Sequence, residues 1–274
     1  MYKMVLTPQS LQQRRTEQEG TPVSSGTASV PKDLLDKRMN PKRYYIKRHK
    51  TNIPSLDKHL GGGLPSGLSV IWGAPGSGKT LQAKQIAINQ TGRVLYYACE
   101  ILDDAPSKDK YPHVDTMDYT QMRPRFDKAV EHLFSAIQYY DPALIVVDSL
   151  TSFLGVTNKA ISEASIRDAV WSIHLRASNT CPIIGISEQR GVGYNRTTAG
   201  GEGAKHGCTM LIQTYKHFLT SERYASSFPN HKVGDVVYTM EVEKDKYGMA
   251  NPRPVEVEYL NDEQYYIKNR FNDG

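Results

Sequence analysis

The chain has 274 residues, with 34 Lys and Arg against 29 Asp and Glu and a formal net charge of +5. That length suits one large domain or two small ones. No run approaches the roughly 18 apolar residues of a spanning helix, so no transmembrane segment and no membrane partner are expected. The N-terminus lacks an apolar stretch ending in a small-residue cleavage site, so no secretory leader is expected and the expected location is the cytoplasm. The three cysteines, Cys99, Cys181 and Cys208, are far apart and form no C-x-x-C pair. That usage fits a reducing compartment, argues against structural zinc and suggests small core fillers.

The charge is uneven. Residues 1–50 hold 11 Lys and Arg against 4 Asp and Glu, and the remainder holds 23 against 25. Residues 1–30 are rich in Gln, Ser, Thr and Gly without an apolar period, and are expected to be a disordered tail. Residues 31–50 form a basic linker segment, with Tyr44 and Tyr45 inside an acid-free run from Lys37 to Lys50. Basic residues interleaved with aromatics suit a nucleic-acid backbone and its bases, or else a solvated lead-in to the fold. Residues 51–274 form the core.

Leu68–Trp72 is an apolar run that predicts a buried strand. It feeds Gly73-Ala74-Pro75-Gly76-Ser77-Gly78-Lys79-Thr80, which fits the phosphate-binding pattern G-x-x-x-x-G-K-[ST]. Glycines let successive backbone N–H groups turn inward around phosphate oxygens. Lys79 supplies a cation to the β- and γ-phosphates, and the Thr80 hydroxyl suits Mg²⁺. The following helix, with Leu81, Ala83, Ile86 and Ala87 on its apolar face, aims its positive dipole end at the same charge. ATP is the expected ligand, held by Gly73 to Leu81, with Mg²⁺ as its cofactor.

Val94–Cys99 predicts a second buried strand, ending in Glu100. Hydrolysis needs a base for the attacking water, and Glu100 is the candidate, with Asp103 and Asp104 as rivals. Val114–Met117 is a strand and Arg125–Tyr140 a helix. Leu144–Val147 then delivers Asp148 to a strand end, the position from which a carboxylate holds the Mg²⁺ shell. A helix is expected over Ser162–Ser178. Ile183–Ile186 is a further strand, leading to Gln189, which suits contact with a γ-phosphate. From Arg190 to Ala204 the chain reads RGVGYNRTTAGGEGA. It shows neither helix nor strand pattern, and a loop of that length is usually functional. Met210–Thr214, Val236–Lys244, Pro254–Tyr259 and Gln264–Ile267 complete the strands. The alternation predicts an α/β fold: a mostly parallel twisted sheet flanked by helices, with a C-terminal antiparallel extension.

These motifs resemble the RecA/RadA recombinase superfamily. Thr51-Asn52-Ile53-Pro54-Ser55-Leu56-Asp57 and Leu60-Gly61-Gly62-Gly63-Leu64-Pro65-Ser66-Gly67 are similar to its T-G-x-x-x-L-D…G-G-G-x-x-x-G lead-in, with Asn52 where glycine is usual. KaiC-like ATPases share that lead-in. Gly200-Gly201-Glu202-Gly203-Ala204-Lys205-His206 resembles the segment closing the second DNA-binding loop of RadA-type recombinases. The resemblance implies a RecA-like ATPase core, closest in build to short RadB-like or phage-type recombinases. It implies that Gln189 senses the γ-phosphate, although Glu188 replaces the usual Asn, and that His206 couples ATP state to loop conformation. Arg190, Tyr194, Arg196, Gly200, Gly201, Lys205 and His206 then contact single-stranded DNA. Residues 155–163, with Lys159 as their only cation, correspond to the first DNA loop. Lys244 and Lys246 resemble paired lysines that reach a neighbouring subunit's γ-phosphate, which implies a homo-oligomer, filament or ring, with ATP at its interfaces. The implied function is a DNA-dependent ATPase of recombination or repair, cytoplasmic or nucleoid-associated. A KaiC-like regulatory ATPase and a DnaB-like helicase or motor are the alternatives.

Overall fold

The structure is a computed structural model describing residues 47–120, 126–154, 163–177, 180–191, 196–261 and 264–268. The chain divides into two units, Met1–Tyr45 and Ile46–Gly274, and every described residue lies in the second. The expectations for residues 1–46, for Tyr194 and for residues 155–162 fall outside the described residues.

The described chain opens inside the basic segment. Strand β1 (Arg48–His49) pairs antiparallel with β2 (Leu64–Pro65). Arg48 forms a 2.7 Å ion pair with Asp245, both side chains nearly buried. Between the two strands lies α1 (Pro54–His59). The buried Asp57 carboxylate accepts the Thr51 N–H and hydroxyl, both at 2.8 Å. That closure explains why this lead-in needs Thr and Asp six residues apart. Asn52 has φ 60°, left-handed backbone that glycine or asparagine adopts most readily. The departure from the family's glycine therefore keeps the conformation that glycine supplies.

Strand β3 (Gly67–Gly73) is buried along its whole length and leads through the phosphate-loop sequence to α2 (Lys79–Ile88). There follow β4 (Val94–Ala98), β5 (Val114–Asp118), α3 (Phe126–Tyr140), β6 (Leu144–Asp148), α4 (Leu150–Phe153), α5 (Glu163–Ala177) and β7 (Pro182–Arg190). Then come β8 (Thr197–Thr198), α6 (Gly201–Gly207), β9 (Met210–Phe218), α7 (Glu222–Ala225), β10 (Val236–Asp245), β11 (Val255–Asn261) and β12 (Gln264–Lys268). The main sheet runs β12-β11-β10-β9-β3-β7-β6-β4-β5, and β8 pairs with β7. From β9 to β5 all neighbours are parallel. From β9 to β12 they are antiparallel. This is the expected α/β architecture.

Both faces of the parallel part are covered, so its strands read as continuous apolar runs. One face packs Leu68, Val70 and Trp72 against helices that include α3 and α5. The other packs Ile71, Val94 and Val146 against α2 through Ala83, Ile86 and Ala87. Among the described residues, no helix is long and apolar enough to cross a membrane. Cys99 and Cys208 are buried, Cys181 is partly so, and all three thiols are free.

One expectation is corrected here. The described residues between Arg190 and Ala204 are not all loop. Gln189 and Arg190 pair with Thr198 and Thr197, and α6 begins at Gly201. Its glycines concealed a helix because α6 packs closely on α5. A Cβ on Gly203 would lie 2.3 Å from the Arg167 side chain, and one on Gly207 would lie 2.9 Å from Val170.

Candidate active site

Strand order places the site. In a parallel sheet, ligands bind outside the carboxyl ends of the strands. The carboxyl ends of β3, β4, β6 and β7 carry Gly73, the residues before Glu100, Asp148 and Gln189 respectively. A cleft of about 720 Å³ opens there, lined by Gly76, Gly78, Lys79, Thr80 and Leu81 among others.

The phosphate loop is held from behind. Ser77 Oγ and Thr214 Oγ1 lie 2.7 Å apart, both buried. A Cβ on Gly73 would come within 2.4 Å of the Thr214 carbonyl, so only glycine fits. Gly76 has φ 71°, and the atom nearest to where its Cβ would stand is Lys216 Nζ, 4.0 Å away. Lys79 Nζ donates to the Ala74 carbonyl at 2.9 Å, folding the ammonium over the loop. Burial pushes the Lys79 pKa down, and Asp148, Glu188 and Glu100 oppose that shift. A cation surrounded by acids but lacking a direct carboxylate partner is prepared for an anionic ligand.

Asp148 is hydrogen-bonded by Thr80 and by the Tyr96 hydroxyl, the latter at 3.0 Å. Burial raises the Asp148 pKa, and these hydrogen bonds restrain the rise. The loop hydroxyl and the strand-end carboxylate thus already touch. A hard oxygen pair beside a phosphate cradle fits Mg²⁺, which takes few protein ligands and completes its shell with water and phosphate. Among the described residues, no group of three or more His, Cys, Asp or Glu side chains forms a separate metal cage.

Glu100 lies beside Asp148, because the Cys99 N–H donates to the Asp148 carbonyl at 2.7 Å. Glu100 Oε1 accepts from Ser149 Oγ and, at 3.0 Å, from Ser152 Oγ. Ser149 also caps α4 by accepting the Ser152 N–H. The rival acids Asp103 and Asp104 line the cleft wall. Gln189 is half-buried on β7, between Glu188 and Arg190, which pair at 3.5 Å.

Arg190 and Arg196 are exposed on the β7–β8 hairpin. The glycine-pair segment is less open. Lys205 pairs with Glu243 at 2.7 Å and Glu202 at 3.2 Å, and lies 5.2 Å from the Trp72 ring centroid. Trp72 Nε1 donates to the same Glu243 at 3.0 Å. His206 is exposed, and Gly200 and Gly201 form the start of α6.

The two late lysines differ from each other. A register shift between Val242 and Lys244 breaks the simple alternation, and Lys246 lies in the turn beyond β10. Lys244 Nζ donates to the carbonyls of Lys205, His206 and Cys208 at 2.8, 3.0 and 2.8 Å. Lys246 Nζ lies 3.4 Å from His174 Nε2. Lys244 pairs with Leu211, near the start of β9, whereas the phosphate loop leaves β3 at Gly73, level with Thr214 further along β9. The lysines therefore do not serve their own chain's cleft. The two lysines are therefore not a matched pair on one strand face, and β10 itself lies between β9 and β11.

Sequence reasoning missed several residues. Tyr96, Ser149, Ser152 and Thr214 support the site from neighbouring elements. Lys216 and Tyr238 bring a cation and a ring to the loop apex from β9 and β10.

A family model described as "ATPase: KaiC" matches residues 49–101, from β1 to just beyond β4. No curated protein matches the chain significantly. Among solved structures it is similar to a KaiC-like protein from the hyperthermophilic archaeon Pyrococcus horikoshii OT3. The TM-score is 0.59 at 13% identity, over 82% of this chain and 100% of that one. The chain has the RecA-like P-loop ATPase fold, with a lead-in and phosphate loop of KaiC-like type, in keeping with its resemblance to the RecA/RadA superfamily.

Proposed function

We propose that this chain hydrolyses Mg²⁺-bound ATP and couples turnover to single-stranded DNA, in recombination or repair. The observation that carries the ATPase reading is the clustering of Asp148 and Glu100 around Lys79 and Thr80 at the phosphate loop. Lys79 and the loop amides bind the β- and γ-phosphates. Thr80 and Asp148 would hold a magnesium ion, which would neutralise phosphate charge. Glu100 takes the proton of the attacking water as the γ-phosphorus bond to ADP breaks. Gln189 contacts the γ-phosphate at the root of the β7–β8 hairpin.

Exposed Arg190 and Arg196 on that hairpin support the DNA part, because β7 neighbours the phosphate-loop strand and Gln189 lies between. In this reading the chain assembles as a homo-oligomer with ATP between subunits. A KaiC-like regulatory ATPase without DNA is the second reading. It is favoured by the match over residues 49–101 and by Lys205, whose charge is already engaged within the chain. ATPase rate with and without single-stranded DNA, at several salt concentrations, separates the two. Several-fold stimulation that is lost in Arg190→Ala/Arg196→Ala supports the DNA reading. A rate indifferent to DNA at every salt concentration supports the regulatory one.

A further inference from the structure

We propose that Lys216 is a second phosphate-contacting cation of the nucleotide site, supplied by the same chain. This inference rests on the ATP-binding reading above and adds a residue that no phosphate-binding motif contains.

The argument begins with register. Thr214 on β9 pairs with Gly73, the last residue of β3. Its hydroxyl meets Ser77, so this face of β9 looks onto the phosphate loop. Side chains two residues apart on a strand share a face. Lys216 is therefore on the loop's side, one step further toward the cleft. The distances agree. Lys216 Nζ lies 4.0 Å from where a Cβ on Gly76 would stand. Gly76 is the exposed apex of the loop, with left-handed backbone.

The surroundings leave the ammonium available. Among the described residues Lys216 forms no ion pair. Its recorded neighbours are two rings, Phe218 at 4.9 Å and Tyr238 at 5.9 Å from the respective centroids. Tyr238 is its cross-strand partner and itself lines the cleft. Rings hold a cation in place without neutralising it. An ammonium so placed, beside the phosphate loop, is complementary to a polyphosphate anion. Lys216 also supplies, within one chain, a cation beyond Lys79 that the loop sequence lacks.

Lys216→Met, Lys216→Arg and Lys79→Ala test the inference by calorimetric titration with Mg²⁺-ATP and with inorganic tripolyphosphate, alongside ligand-free melting temperatures. Lys216→Met is expected to weaken both ligands about tenfold, the scale of one charge-assisted hydrogen bond. Lys216→Arg is expected to retain most of the affinity, and both variants should melt like the parent protein. Unchanged affinity of Lys216→Met for both ligands overturns the inference while leaving the ATP reading intact. Equal weakening in Lys216→Arg and Lys216→Met, with lowered melting temperatures, also overturns it, because packing and not charge then matters. ATP binding that survives Lys79→Ala unchanged defeats the ATP reading itself.

Discussion

The Tyr96 hydroxyl donates a 3.0 Å hydrogen bond to Asp148 Oδ2, joining the middle of β4 to the strand-end carboxylate of β6. Tyr96 is almost wholly buried, and burial together with Asp148 raises its pKa well above the ordinary phenol value. It is therefore a fixed donor at any working pH. It constrains the carboxylate that would hold magnesium. Tyr96→Phe is expected to raise the Mg²⁺ concentration needed for half-maximal ATPase activity by about tenfold, as loss of an outer partner does at other metal sites. Metal-free nucleotide binding should change little. An unaltered Mg²⁺ requirement counts against the role.

The raised Asp148 pKa has two consequences of opposite sign. Without ligand, the folded state keeps this proton to a higher pH than the unfolded chain does. The Asp148 contribution to stability therefore falls as pH rises from the usual carboxylate value through the raised one. Magnesium requires the ionised form, so the stabilisation from Mg²⁺-ATP grows over the same window. Melting curves of the parent and Asp148→Asn, with and without Mg²⁺-ATP across acidic pH, should show both slopes in the difference between the proteins. A parent-minus-variant difference that is flat with pH contradicts the assignment.

Lys79 is partly buried, its pKa is lowered by desolvation, and its hydrogen bond is to a neutral carbonyl. In the free protein it is a cost that nucleotide relieves. Lys79→Met should abolish the ATP-dependent melting shift yet leave ligand-free melting unchanged or higher. A variant that melts lower without ligand and still responds to ATP contradicts both halves of the argument.

Glu100 is joined to two serine hydroxyls, of which only Ser149 also caps a helix. Glu100→Gln should keep ATP affinity and lose about a hundredfold or more in turnover. Ser152→Ala should lower kcat several-fold with ATP affinity and stability unchanged, whereas Ser149→Ala should also cost about 1 kcal/mol through the lost cap. If Asp103→Asn or Asp104→Asn silences turnover and Glu100→Gln does not, the base is one of those acids.

Much of this fold was legible in the sequence because most of its sheet is buried on both faces. Such strands appear as apolar runs, and β3, β4, β6 and β7 each appeared that way. The phosphate loop and Asp148 were legible because their spacing follows from backbone geometry. Residues whose roles depend on register across the sheet were not. Lys216 is 140 residues from Gly76 in the chain, and only the pairing of Thr214 with Gly73 brings them together. The segment Gly200–Gly207 read as loop because its glycines are needed for close packing on Arg167 and Val170, and a helix made for such contact lacks ordinary helix-forming side chains.

Lys244 and Lys246 are the residues most informative about assembly, and the structure separates them. Lys244 satisfies three carbonyls around the end of α6, where a cation also meets the negative end of the helix dipole. Lys244→Ala should therefore destabilise the isolated subunit, by about 1–2 kcal/mol, whatever its role between subunits. Lys246 is exposed and its ammonium stands beside His174, so Lys246→Ala should melt like the parent. Both lysines lie toward the end of the sheet opposite their own phosphate loop, so any role in hydrolysis must be played in a neighbouring subunit's site. ATP-driven assembly and ATPase activity should then fall together in Lys246→Ala, with nucleotide affinity of the monomer retained. Mixing Lys246→Ala with Glu100→Gln should restore part of the activity, because one class of interface in the mixture contains both an intact base and an intact lysine. Sedimentation that shows a monomer with ATP, ADP and single-stranded DNA alike, together with a fully active Lys246→Ala, removes the lysine from the mechanism and leaves Lys216 as the cation to examine.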